Sequence, residues 1–115
     1  MGFETGTSLD DLIRREEDSF LARMTRTAAL WQRAQQSMPG GVCSSWASSR
    51  PLPVWISHGE GAYVWDADGT RYADMHGGYG VNVVGHANPA VVAAVQQRVA
   101  RGTHFAQPTE DSITV

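Results

Sequence analysis

Lysine does not occur in this chain: all nine basic residues are arginines, at 14, 15, 23, 26, 33, 50, 71, 98 and 101. Chemistry that needs a side-chain primary amine therefore cannot be completed by these residues alone. Cysteine occurs once, at Cys43, which excludes an internal disulfide and a multi-cysteine metal site and fits a cytoplasmic location. No apolar run approaches the roughly 20 residues that span a bilayer, so no membrane partner is expected. The stretch Met1-Gly-Phe-Glu-Thr-Gly-Thr7 lacks both a basic start and an apolar centre and does not read as a signal peptide. Basic clusters are missing too, and the net charge is -3; nucleic acid is excluded as a partner, because neutralising phosphates needs concentrated Lys and Arg.

What is present suffices for one small domain: 115 residues, 42% of them apolar. Ser8 is an N-cap candidate ahead of Asp10 and Asp11, whose charges suit the first turn of a helix. Leu9, Ile13, Phe20, Met24 and Trp31 fall at spacings compatible with one helical face, interrupted at Glu16 and Glu17. Residues 8–37 are thus expected to form a helical arm, as one long or two shorter helices ended by Pro39-Gly40-Gly41. Residues 38–53, rich in Ser and Pro and without a period, are expected to be loop. Three strands are expected within 54–74, at Val54–Ser57, Ala62–Asp66 and Thr70–Asp74. His58-Gly-Glu-Gly61 would join the first pair, and Asp66-Ala-Asp-Gly69 the second, forming an antiparallel meander. Residues 75–87 are a glycine-rich loop. Asn88-Pro89 has the form of a helix start, and the helix expected over 88–101 carries a stripe of Val91, Val92, Val95 and Val99 before Gly102 stops it. Residues 102–115 read as loop followed by a first helical turn cut short, a truncated connection.

Each pattern that suggests chemistry has a plainer competitor. The run His76-Gly-Gly-Tyr-Gly80 lacks the third glycine of a dinucleotide fingerprint, where Val83 stands, and lacks the lysine of a P-loop. Glycines that let the backbone pass close to a ligand or neighbour explain it better. Asp66-x-Asp68-Gly69 resembles the start of a calcium loop, but its later ligands are absent and a hairpin turn accounts for it. His58, His76, His86 and His104 show no metal-ligand spacing, so no metal is expected, and His86 reads as a hydrogen-bonded structural residue. Cys43, Ser44 and Ser45 lack a nucleophile-elbow context. Trp46 stands alone in a polar loop and is the tryptophan most suggestive of a ligand contact.

Five segments, taken together, go further. Leu30-Trp-Gln-Arg-Ala34, Met38-Pro-Gly-Gly-Val42, the run from Gly59 to Asp74, Gly85-His-Ala-Asn-Pro89, and the run from Gly102 to Glu110 occur in one order with compatible spacings. Over roughly residues 28–112 the chain resembles the N-terminal portion of class III aminotransferases, and within them the subgroup of glutamate-1-semialdehyde aminomutase. The resemblance implies an α+β fragment, comprising an N-terminal helix, a small antiparallel meander and one amphipathic helix, of a fold type I transferase dependent on pyridoxal 5'-phosphate. It implies a homodimer that moves an amino group between a small-molecule amino donor and a carbonyl acceptor.

By the same resemblance the Schiff-base lysine and the main cofactor-binding residues lie outside these 115 residues, so no catalytic residue is expected here and the isolated chain is expected to be inactive. The Gly-Gly-Tyr-Gly stretch aligns with a segment whose aromatic residue borders the substrate. Tyr79, flanked by Gly78 and Gly80, is therefore expected on the substrate side, with Trp46 and Ser44 from the preceding loop. One departure bears on the substrate. Where the aminomutase subgroup has an arginine for the substrate carboxylate, Cys43-Ser-Ser-Trp-Ala47 ends in alanine, which cannot make a bidentate pair; Arg50 lies three residues on. This favours amino transfer to a different substrate over the aminomutase reaction. The alternative is a non-catalytic module that uses the 8–37 arm to dock on a full-length aminotransferase.

Overall fold

The computed structural model describes residues 8–114, the last by its backbone; the stretch Met1–Thr7, which does not read as a signal peptide, and Val115 lie outside the described residues. Helix α1 (Leu9–Arg23) begins at Ser8, whose Oγ accepts from the Asp11 N–H, with Asp10 and Asp11 in the first turn. It ends at Met24, and α2 (Thr25–Ala34) follows at once. The arm is thus two helices, and the break falls at Met24, not at the Glu16-Glu17 interruption. The reason lies outside the arm. Asp68, in a distant turn, accepts from the N–H groups of Arg26 (2.7 Å) and Thr27 (2.9 Å) and supplies the cap that Met24 cannot.

The chain stops helix α2 with a close contact. A Cβ on Gly41 would lie 2.6 Å from the Trp31 ring, and Trp31 Nε1 donates to the Gly40 carbonyl at 3.1 Å. Pro39-Gly40-Gly41 therefore turns directly beneath the indole.

The antiparallel sheet has the order β1-β2-β3, from Ile56–Glu60, Tyr63–Asp66 and Arg71–Ala73. Two expectations need correcting. Val54 and Trp55 precede the first strand, and His58-Gly-Glu60 belongs to it and not to a loop: His58 pairs with Trp65, Gly59 with Val64 and Glu60 with Tyr63. A bulge between Ile56 and His58 shifts the register, and Ser57 Oγ closes it by donating to the carbonyls of Trp65 and Asp66.

The β2–β3 turn is built on Asp66, nearly wholly buried, whose Oδ1 accepts from the N–H groups of Asp68 (3.0 Å) and Thr70 (2.8 Å) and whose Oδ2 accepts from the Tyr72 hydroxyl at 2.7 Å. Burial alone would push its carboxyl up, but these bonds outweigh burial and leave it below the ordinary value. Burial and the bond to Asp66 push the Tyr72 phenol up. Gly69 supplies the positive φ of the turn, at 91°.

Helix α4 (Pro89–Val99) follows a single left-handed turn, α3 (Gly77–Gly80), and starts on Asn88, whose Oδ1 accepts from the N–H groups of Ala90 and Val91. The last element is one turn, α5 (Asp111–Thr114), tied back to α4 by Arg98 Nε to Asp111 Oδ2 at 3.0 Å.

Among the described residues the buried apolar side chains are few: Met24, Ala34, Leu52 and Pro53. The radius of gyration is 20.7 Å, against about 13 Å for a compact chain of this length. The accessible surface is 9592 Å², where a compact monomer of this mass exposes roughly 6,200 Å². Both amphipathic faces are bare: Leu9 and Ile13 on α1, and Val91, Val95 and Val99 on α4, are exposed.

Candidate functional site

The glycine-rich loop leaves the sheet at Asp74, whose own N–H donates to the Ala62 carbonyl at 2.9 Å. Its Oδ1 accepts from the N–H groups of His76 (3.0 Å) and Gly77 (2.9 Å), and its Oδ2 accepts from His86 Nε2 at 2.7 Å. The loop's two ends are thus drawn together on one carboxylate. The Gly77 amide, then His86, then the His76 amide hold that carboxyl down at about 2.

His86 is itself fixed to the sheet. Its backbone exchanges hydrogen bonds with Gly61, at 2.8 and 2.9 Å, and its ring lies against Gly59, where a Cβ would come within 2.5 Å of Cγ. Asn82 braces the same corner in the amide orientation that satisfies its neighbours, with the NH2 group donating to the Gly85 carbonyl at 2.9 Å. The reading of His86 as a hydrogen-bonded structural residue agrees with this geometry.

Between these anchors four consecutive residues adopt the left-handed region: Gly77 (φ 54°), Gly78 (φ 60°), Tyr79 (φ 66°) and Gly80 (φ 78°). Three are glycines, for which this is easy; a residue with a Cβ is penalised by about 1–2 kcal/mol there. Tyr79 is held nonetheless, its N–H donating to His76 Nδ1 at 3.0 Å while the Gly80 N–H donates to the His76 carbonyl. The His76 ring meets the Tyr79 ring edge-on at 4.4 Å. Strain of this kind, held in place by its surroundings, is concentrated at functional positions.

Tyr79 stands 70% exposed, and the ring beside it belongs to Trp46, 71% exposed, at 6.0 Å between centroids and tilted by 41°. Trp46 sits in a short 3-10 turn, Ser45–Ala47, whose first N–H groups are held by Ser44: its Oγ accepts from Trp46 N–H at 3.3 Å. The structure therefore brings Tyr79 and Trp46 together, places Gly78 and Gly80 in the turn that carries Tyr79, and gives Ser44 the task of orienting Trp46. Two large exposed rings side by side form a wall.

Two residues that support this wall from outside it were not singled out by sequence reasoning. Asp74 was visible only as the end of a strand, and His76 only as one of four histidines. The available signal was the short spacing Asp74-Met-His-Gly77, in which a carboxylate meets the N–H groups two and three residues on, as in an Asx turn.

An open apolar groove of about 470 Å³ lies between the end of the loop and α4, lined by Val81, Val83, Val84, Val91 and Val95. A second hollow of about 370 Å³ is lined by Asp74, Asn82, His86 and Gly61. Among the described residues no three His, Cys, Asp or Glu side chains are grouped to hold a metal, and no helix is long and apolar enough to cross a membrane.

Capacity to hold a phosphorylated cofactor can be tested on the amides. Those of Ala90 and Val91 at the start of α4 are taken by Asn88, and those of His76, Gly77 and Tyr79 by Asp74 and His76. These five donors are engaged internally, and with no lysine in the sequence the site offers no side-chain amine.

Residues 44–114 match the family model of aminotransferase class III. Among solved structures the chain is similar to an omega-transaminase from Sphaerobacter thermophilus, at 38% identity over 76% of this chain and 20% of that one, TM-score 0.70. It is similar to a glutamate-1-semialdehyde aminomutase from Pseudomonas aeruginosa PAO1, at 31% identity over 90% and 23%, TM-score 0.79; a lysine-to-alanine variant of that enzyme is known in complex with PMP. The β-phenylalanine aminotransferase from Variovorax paradoxus gives 29% identity over 89% and 24%, TM-score 0.80. The chain spans between 20% and 24% of the length of these structures.

Proposed function

This chain belongs to the class III aminotransferases, and we propose that it forms the N-terminal, substrate-side part of a pyridoxal 5'-phosphate-dependent aminotransferase or aminomutase of fold type I. The reaction moves an amino group between an amino acid and a carbonyl compound. The observation that carries this reading is the contact of Trp46 with Tyr79, which joins the two aromatic residues expected on the substrate side into one exposed wall.

Without a lysine this chain cannot supply the amine that holds the cofactor, and its residues act on the substrate's side of the site. When bound, the cofactor supplies an electron sink for the substrate's Cα. Trp46 and Tyr79 bound the space the substrate enters and exclude water from it; Gly78 and Gly80 let the backbone turn sharply behind Tyr79; Ser44 fixes the Trp46 turn. The lysine and the phosphate-binding groups come from beyond residues 1–115, and this chain alone is inactive. A cytoplasmic homodimer is the setting we propose, and the large bare apolar surface supports burial against further protein.

Co-expression with the remaining portion of the Pseudomonas aeruginosa aminomutase tests this. The assembled complex should retain pyridoxal phosphate through dialysis and transfer amino groups, and the chain alone should do neither. Activity of the chain alone, or a complex that binds cofactor but transfers nothing, would sink the reading.

The second reading, a non-catalytic module docking on a full-length aminotransferase, is favoured by one observation: Leu9, Leu12 and Ile13 leave the apolar side of α1 exposed. Retention of a full-length aminotransferase by the immobilised chain, lost on Leu9→Asp with Ile13→Asp, is its expected result.

A further inference from the structure

The wall's geometry has a source outside the wall. Neither Trp46 nor Tyr79 fixes the left-handed turn; within the turn, Tyr79 is the one residue whose Cβ opposes it. The bonds that hold the turn begin at Asp74. Its Oδ1 takes the N–H groups of His76 and Gly77, which sets the direction in which the chain enters the turn, and its Oδ2 takes the ring of His86, which is bolted to Gly61. With its backbone fixed, His76 presents Nδ1 to the Tyr79 N–H and its ring edge to the Tyr79 ring.

We propose that Asp74 is the positioning residue of the Trp46–Tyr79 wall: acting through His76, with His86 as its counter-anchor, it holds the left-handed turn that stands Tyr79 against Trp46. An ionised carboxylate is the suitable group, because charge-assisted bonds are about twice as strong as neutral ones. Asp74 stays ionised far below neutrality. The consequence for substrate rests on the function proposed above, whereas the geometry does not, so the experiment reads geometry.

The test is NMR on the 115-residue chain and its Asp74→Ala and Asp74→Asn variants. In the parent, Tyr79 should give the strong intraresidue Hα–HN cross-peak of a positive φ, and cross-peaks between its ring and that of Trp46. Asp74→Ala should lose both, while the Arg26 and Thr27 amides, held by Asp68, keep their shifts. Asp74→Asn keeps an amide-accepting oxygen and should restore both. Retention of the ring cross-peaks in Asp74→Ala overturns the proposal, and so does their loss in both variants.

Should Asp74→Ala disturb the Arg26 and Thr27 amides as well, hydrogen exchange in the parent decides. The amides of His76, Gly77 and Tyr79 must open as one unit, with opening constants agreeing within about threefold. A Tyr79 amide that opens about tenfold more readily than that of Gly77 overturns the proposal. Neither result bears on the co-expression test, so the two readings fail separately.

Discussion

The carboxylate of Asp68, in the turn between β2 and β3, accepts the backbone N–H of Thr27 at 2.9 Å and so caps a helix that lies far earlier in the chain. Burial pushes the Asp68 carboxyl up, and the bonds from Thr27 and Arg26 outweigh it, leaving it below its ordinary value. This one side chain ties the helical arm to the sheet. Asp68→Ala should cost about 1 kcal/mol, within the range of roughly 0.5–2 for lost caps, read as a lower denaturation midpoint by circular dichroism. Asp68→Asn, which keeps acceptor oxygen, should cost less. Equal losses from both substitutions would remove the cap from the account.

Acid should loosen the loop before neutral pH does anything to it. The Asp74 carboxyl is lowered from 3.8 to about 2. A group depressed on folding stabilises the native state fully above its unfolded value, and the contribution fades as pH falls through the folded one. Asp66 and Asp68 are lowered too and act in the same direction. The thermal midpoint should therefore be level above about pH 5 and fall between about pH 4 and pH 2. Asp74→Asn should flatten part of that fall; an unchanged acid limb would show that Asp74 does not contribute.

Two glycines at opposite sides of one backbone bridge should respond differently to alanine. Gly61 (φ 54°) and Gly85 (φ 80°) are both left-handed, but a Cβ on Gly61 meets nothing within 4 Å, whereas one on Gly85 would lie 2.9 Å from the Gly61 carbonyl oxygen. Gly61→Ala should cost about 1 kcal/mol from backbone conformation alone. Gly85→Ala adds a collision with backbone that cannot rotate away, and about 1–3 kcal/mol more is expected. Paired denaturation curves check the difference, and equal effects would contradict the tight Gly61–His86 bridge.

What was legible in the sequence follows from the range of each interaction. The caps at Ser8 and Asn88 are satisfied within three residues, and both were found where the sequence placed them. The hairpin on Asp66 and Gly69 is equally local. Met24 was expected on an apolar helical face, yet it marks the break between two helices, because the group that caps α2 is Asp68, forty-one residues from Thr27. The first strand was placed too early, since glycines at 59 and 61 suggested a turn. Gly59 is instead demanded inside the strand by the ring of His86, a partner no local rule supplies. The wall was half legible: Tyr79 and Trp46 were named separately, but their contact needed the fold. The α+β composition and three-stranded antiparallel sheet were foreseen correctly, with the strand ends shifted.

Tyr79 provides the sharpest separation of stability from function. Its φ of 66° is one that glycine adopts freely, and both sequence neighbours are glycines already in that region. Tyr79→Gly removes the Cβ penalty of about 1–2 kcal/mol, offset by the greater freedom glycine gives the unfolded chain, about 0.4–1 kcal/mol. It also removes the ring contacts with His76 and Trp46, each worth about 0.5–1.5 kcal/mol in buried pairs and less at this exposure. The terms nearly cancel, so the denaturation midpoint should move by less than about 1 kcal/mol in either direction. In the co-expressed complex the same change deletes half of the wall and should lower kcat/KM at least about tenfold, the equivalent of 1.4 kcal/mol. Tyr79→Phe should leave both quantities near the parent's, because the ring and not the hydroxyl makes the contact. If Tyr79→Gly unfolds the chain, the turn depends on the ring; if it transfers amino groups as the parent does, Tyr79 does not border the substrate.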